Sequence, residues 1–257
     1  MDYVVICIIA LIGSALTLFS GFGLGTMLLP VFGLFFPIEI AIILTSIVHF
    51  LNNSLKLFLF GKNANKYITL AFGIPAILFA FLGAYVLKIL TTMNPIFQYT
   101  IAEKTFVIMP IKLIIGVLLM VFSLIEFIPK YKNLSFDKKY LSFGGVLSGF
   151  FGGISGHQGA LRSAFLIRTN LSKETFIATG VVIACLVDVS RLSVYIPQII
   201  ENKINLDYNL LILATLSAFS GVYFGNKLLQ KTTIITIQNI IAVMLMIYAI
   251  LLIIGVL

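Results

Sequence analysis

Residues 148–163 read SGFFGGISGHQGALRS, with apolar sequence on both sides. Residues 19–30, FSGFGLGTMLLP, have the same character. Glycine permits backbone turns closed to other residues. Runs of glycine inside apolar sequence therefore predict breaks between short helices at membrane depth. Such irregular backbone is tolerated only where protein buries it or where it lines a wet cavity. Short, glycine-broken segments at matching places in two halves of a chain point to a transporter's binding site.

The surrounding sequence sets the membrane context. The chain has 257 residues, 60% hydrophobic and only 10% charged. A soluble domain carries roughly 25% charged residues to cover its surface. Apolar stretches fall at about 3–20, 22–36, 40–60, 67–90, 105–128, 140–152, 157–168, 174–198, 208–229 and 233–257. Most approach the ~20 residues that cross a bilayer as a helix. The expected fold is an all-α polytopic membrane protein, one transmembrane domain over 1–257 in contact with lipid. The start, MDYVVICIIALIGSALTLFS, lacks a positive leading region and reads as a retained first helix.

The net charge of +8 comes from lysines in short loops. That is the positive-inside pattern, not a nucleic-acid interface. Cys7 and Cys185 both sit in apolar runs, too few for a disulfide framework or a zinc site. No cofactor is implied.

The chain repeats itself. A shift of 134 residues carries Gly25 onto Gly159 and Thr45 onto Thr179. Gly83-Ala84-Tyr85 resembles Gly221-Val222-Tyr223, and IKLIIGVLLM from Ile111 resembles IQNIIAVMLM from Ile237. We read a first repeat over 1–128, a cytoplasmic linker over 129–139 and a second repeat over 140–257. Each has about five helical segments and opens with a short pair. If each pair is a hairpin, Lys62, Lys66, Lys130, Lys132, Lys138, Lys139, Arg168, Lys173, Lys227 and Lys231 share one side, the cytoplasmic one. Both termini then lie outside and the repeats are inverted. If each pair is one broken span, the repeats are parallel instead.

Residues 21–30, GFGLGTMLLP, followed by Ala41 and Thr45-Ser46, resemble the opening repeat of the TauE/SafE sulfite exporter family. The resemblance implies an inner-membrane transporter of sulfite, organosulfonates or related small anions. The second half departs from that pattern. Ala164 stands where the counterpart of Pro30 would be, Gly180 where that of Ser46 would be, and His157, Gln158 and Arg162 are added.

Ionisable groups within apolar runs are functional candidates by default. Arg162 offers a planar fork of donors suited to sulfonate, sulfite or carboxylate. Gly156 and Gly159, with Gly23 and Gly25 in the first half, expose backbone N–H groups beside helix starts. His157 and Gln158 flank the second break. Thr45, His49, Asn52 and Lys56 share one helix face, with Asn53 beside it. Thr45, His49 and Asn52 are candidate contacts or interhelical hydrogen-bond partners, and Lys56 is expected to snorkel to the cytoplasmic surface. Lys112 and Glu126, near the ends of their helix, read as interfacial. Asp188 and Arg191 are three apart on one helix. They read as a neutralising pair, with gating or proton coupling the alternative.

The expected function is secondary transport of a small anion by alternating access, with H⁺ or Na⁺ as coupling ion for inward movement. A homo-oligomer is compatible with the sequence. A channel and a membrane enzyme are the other classes. The chain has no GxxxxGK[ST] loop for ATP, and its two histidines lie in no hydrolase motif.

Overall fold

The computed structural model describes residues 2–20, 23–128, 135–201, 203–228 and 234–257, with residues 18–20, 226–228 and 234–238 described in backbone only. The expected lysines at 130, 132 and 231, and the linker from 129 to 134, lie outside the described residues, as does the side chain of Lys227.

Ten helices are described, five in each half of the chain. The first half holds α1 (Asp2–Ser20), α2 (Leu24–Gly33), α3 (Ile38–Phe60), α4 (Lys66–Thr91) and α5 (Pro110–Phe127). The second holds α6 (Leu141–Ser155), α7 (Gly159–Leu166), α8 (Lys173–Glu201), α9 (Tyr208–Leu228) and α10 (Ile234–Ile253). Five of them, α3, α4, α5, α8 and α9, are long and apolar enough to cross a membrane over their described residues. Their outward faces are apolar as well, as at Leu78, 63% exposed, and Ile212, 57% exposed. Such faces suit lipid.

The short helices α2 and α7, 10 and 8 residues long, fold back on the helices before them. Phe165 of α7 packs on Gly144 of α6, and Gln158 packs on Gly152 nearer the tip. Leu24 and Met27 of α2 pack on Gly13 of α1. Each pair is thus a hairpin.

The two halves pack reciprocally. Helix α4 lies along α6, and α1 lies along α9. Helix α3 meets α8, and α5 meets α10. The α4–α6 contact is a backbone approach. Gly145, Gly149 and Gly153 face the backbones of Phe72, Ala76 and Ala80 in turn, so the two helices run in the same direction. Gly221 and Gly225 face Leu11 and Ala15 likewise. Without a hydrophobic drive between helices in lipid, small residues that admit close packing hold such pairs together.

Bonds at the two ends sort the loops. At one end, Asn65 donates its N–H to Thr179 (2.9 Å), Arg168 donates to Ser135 (2.8 Å), and the Lys138 ammonium lies over Tyr67. At the other, Lys88 meets Glu201 at 3.7 Å and Tyr3 donates to Asp207. Helices α4 and α8 both run from the first end to the second.

One expectation is corrected. The apolar stretch 105–128 is not helical throughout. Its start belongs to a hairpin of β1 (Phe97–Ile101) and β2 (Lys104–Ile108), paired antiparallel from Phe97↔Ile108 to Ile101↔Lys104. Ala102 and Glu103 turn it with φ of 47° and 67°. Tyr99 stacks on Phe106 at 5.2 Å and donates to the carbonyl of Ile254. The turn type favours Asn-Gly, and Ala-Glu gives no such signal.

Candidate functional site

The two glycine breaks meet at the centre of the protein. A Cβ on Gly25 would stand 3.6 Å from the Gly156 carbonyl, 3.6 Å from the Thr45 methyl and 3.7 Å from the His49 ring. Gly156 caps α6 in the left-handed region, φ 80°, with Arg191 against it. Glycine holds that conformation without a Cβ penalty. The break between α6 and α7 thereby turns within the protein rather than at its surface.

Beside the breaks, α3 and α8 carry a buried polar network across the two halves. His49 Nδ1 lies 2.7 Å from Asp188 Oδ2. Arg191 Nε donates to Asp188 Oδ1 at 3.0 Å, with Nη2 at 2.8 Å. Gln158 Nε2 donates to the same oxygen at 3.5 Å, and Gln158 Oε1 accepts from Arg162 Nη1 at 3.4 Å. Asp188 and Arg191 are both fully buried. They do form the neutralising pair, and the pair has a third member in His49. A carboxylate only accepts, so His49 carries its proton on Nδ1 toward Asp188, and Nε2 is the accepting side.

A small cleft, open to solvent, adjoins this network. His49, Asn53 and Lys56 of α3, Arg162 and Ser163 of α7, Gly23 at the start of α2, and Gly180 of α8 line it together with Thr17. Leu24, Leu166, Phe176, Ile177 and Val181 supply its apolar wall. Its lining, among the described residues, contains two cations and no carboxylate. Arg162 is 8% exposed and Lys56 4%. The structure corrects the expectation for Lys56, which turns into the cleft instead of reaching outward. Glu126 is likewise buried rather than interfacial.

Of the residues singled out in the sequence, Arg162, His49 and Gly23 line the cleft. Gly25, Gly156 and Thr45 form the contact between the breaks, and Gly159 begins α7 there. Asn52 accepts from Ser14 at 2.9 Å, an interhelical bond to α1. His157 stacks face to face on Phe122 at 5.9 Å and bonds the Ser155 carbonyl at 3.1 Å. Lys56 carries a signal in the sequence, its place on the polar stripe with Thr45, His49 and Asn52. Ser163, Thr17 and Phe176 had no distinguishing signal. No cluster of three or more His, Cys, Asp or Glu side chains suited to a metal is present among the described residues.

The chain is thus a polytopic membrane protein with paired helix hairpins that meet beside a basic cleft. The model of the sulfite exporter TauE/SafE family matches residues 5–252, and the chain belongs to that family. Membership implies membrane transport of sulfur anions, by a family of transporters rather than enzymes. No curated protein and no solved structure gave a match.

Proposed function

We propose that the protein is a secondary transporter of a small sulfur-containing anion, sulfite or an organosulfonate, or of a related carboxylate, held in the cleft between Arg162 and Lys56. The observation that carries this is the pairing of two buried cations on one cleft whose lining brings no carboxylate. A buried charge is costly unless paired, and a bound anion supplies the partner. The start of α2 at Gly23 and Leu24 adds backbone N–H groups and the positive end of a helix dipole. Asn53, Ser163 and Thr17 offer further polar atoms, and Phe176 with Leu166 suits the carbon part of a sulfonate.

The transport mechanism in this reading is alternating access. The halves rock about the meeting point of the hairpins. Corresponding helices run in opposite senses, α4 away from the basic loops and α9 from Asp207 toward them, which supports inverted repeats. By the positive-inside rule the end with Lys62, Lys66, Lys138, Lys139, Arg168 and Lys173 faces the cytoplasm, both termini lie outside, and the setting is the cell's inner membrane. Lys56, Leu166 and Phe176 lie near that end, so the cleft opens inward.

A thermal-shift screen of the detergent-purified protein tests this reading. The panel is sulfite, sulfate, thiosulfate, sulfoacetate, taurine and small carboxylates. At 100 times its dissociation constant an anion stabilises the folded state by about 2.7 kcal/mol. Wild type should respond to at least one anion, and Arg162→Gln and Lys56→Gln should each lose that response. A wild type that ignores the whole panel, or variants that respond as well as wild type, would refute the proposal.

A further inference from the structure

His49 belongs both to the cleft and to the buried network, and no other described side chain joins the two through a titratable ring. Its Nδ1 is fixed on Asp188 at 2.7 Å. Its Nε2 faces the start of α2, where a Cβ on Gly23 would stand 3.2 Å away, with Asn53 Nδ2 at 3.2 Å. Asp188 and Arg191 are sealed from the cleft, whereas His49 lines it. A purely structural triad would not need its imidazole at the cavity wall.

The charges around His49 determine its response. Helix α8 brings Asp188 and Arg191, whose charges balance. Its own helix brings Lys56, and α7 brings Arg162. The second break brings His157. Helix α2 has no ionisable side chain, and Tyr208 and Tyr223 of α9 are exposed. With the cleft empty, Lys56 and Arg162 leave a surplus of positive charge on its lining. An anion in the cleft cancels that surplus, and its negative charge favours a proton on Nε2. Coupling between two binding events is reciprocal. If the anion promotes protonation, the proton tightens the anion by the same factor.

We infer that the protein carries a proton together with its anion, with His49 Nε2 as the proton site and Asp188 as its positioning partner. This rests on the anion reading above. A proton from bulk solvent, delivered as hydronium, adds to the Nε2 lone pair while the proton on Nδ1 stays there, hydrogen-bonded to the Asp188 carboxylate. When the site opens to the other side and the anion leaves, the proton leaves with it. Inward transport of an anion against a negative-inside potential then has a driving ion.

Calorimetry of anion binding to the full-length protein, in buffers of different ionisation enthalpy, reads the protons taken up per anion bound. The probes are sulfate, thiosulfate and sulfoacetate, whose own charge is constant around neutral pH. Wild type should take up protons on binding and weaken by up to about tenfold per pH unit on the alkaline side. His49→Gln should bind only as weakly as wild type does at alkaline pH and take up no proton, with a flat pH profile. Proteoliposomes holding a pH dye give the second measurement, in which anion entry should acidify the lumen for wild type. Anion binding by wild type without proton uptake and without acidification overturns the inference and leaves the transporter reading standing. Proton uptake that persists in His49→Gln overturns the assignment to His49. Failure of wild type to bind any anion of the wider panel refutes the anion reading itself.

Discussion

Replacing Asp188 with Asn should destabilise the protein more than any other single change in the site. The carboxylate is fully buried and receives Arg191 Nε at 3.0 Å, with Nη2 at 2.8 Å, and His49 Nδ1 at 2.7 Å. Arg191 is equally buried. Removing one member of a buried ion pair strands the other charge, at about 3–5 kcal/mol. For a chain of this length each kcal/mol moves the melting midpoint by roughly 2–4 °C, so Asp188→Asn should melt roughly 6–20 °C lower. Arg191→Met should also destabilise, because Asp188 then keeps His49, Gln158 and Asn53 but no full countercharge. The double variant Asp188→Leu/Arg191→Met removes both charges and should recover most of the loss, since replacing a whole buried pair by apolar groups is often close to neutral. The assay is thermal unfolding of purified protein in one detergent at one scan rate, assembled into a double-mutant cycle. Losses that simply add in the double variant would refute the buried pair. So would an Asp188→Asn midpoint within a degree or two of wild type.

Two further outcomes follow from contacts elsewhere. Gly149→Ala should lower the melting midpoint although alanine favours helix by about 1 kcal/mol. Its Cβ would stand 2.7 Å from the Ala76 Cα, so α4 and α6 must part, whereas Gly73→Ala meets only side-chain ends, Leu186 at 3.3 Å and Ile183 at 3.9 Å, and should be neutral or stabilising. Equal effects of the two would refute the close approach. At the other end, the Tyr3 hydroxyl and the Leu210 N–H donate to Asp207, holding its carboxyl below the usual carboxylate range. A depressed carboxyl stabilises the fold above its ordinary pKa and loses that contribution as pH falls through its folded value. The difference in midpoint between wild type and Asp207→Asn should therefore be constant near neutral pH and close in acid. A difference unchanged into acid would show that the bond carries no charge-dependent stability.

The lengths and places of the ten helices were legible because hydrophobic run length and glycine position are local properties. The breaks at 19–25 and 148–159 declared themselves, and so did the i, i+3 spacing of Asp188 and Arg191. The β-hairpin at 97–108 stayed hidden because Phe, Val, Ile and Thr suit a strand, yet the run continued without a polar break into α5. The Gly145-Gly149-Gly153 stripe shows only that a close approach is possible. Its partner, α4, could not be read from α6 alone.

The sequence by itself determined that this chain lives in a membrane and is broken by glycine runs at 19–25 and 148–159. Those properties follow from solvent preference and backbone freedom, which each residue carries with it. The tertiary structure decided the chemistry. His49 meets Asp188 across 139 residues of chain, and Lys56 meets Arg162 across a cleft that neither helix defines alone. Whether a lysine snorkels outward or turns inward depends on the neighbouring helices around it. The charge that a site lacks, and therefore the ligand it invites, exists only once the helices are packed.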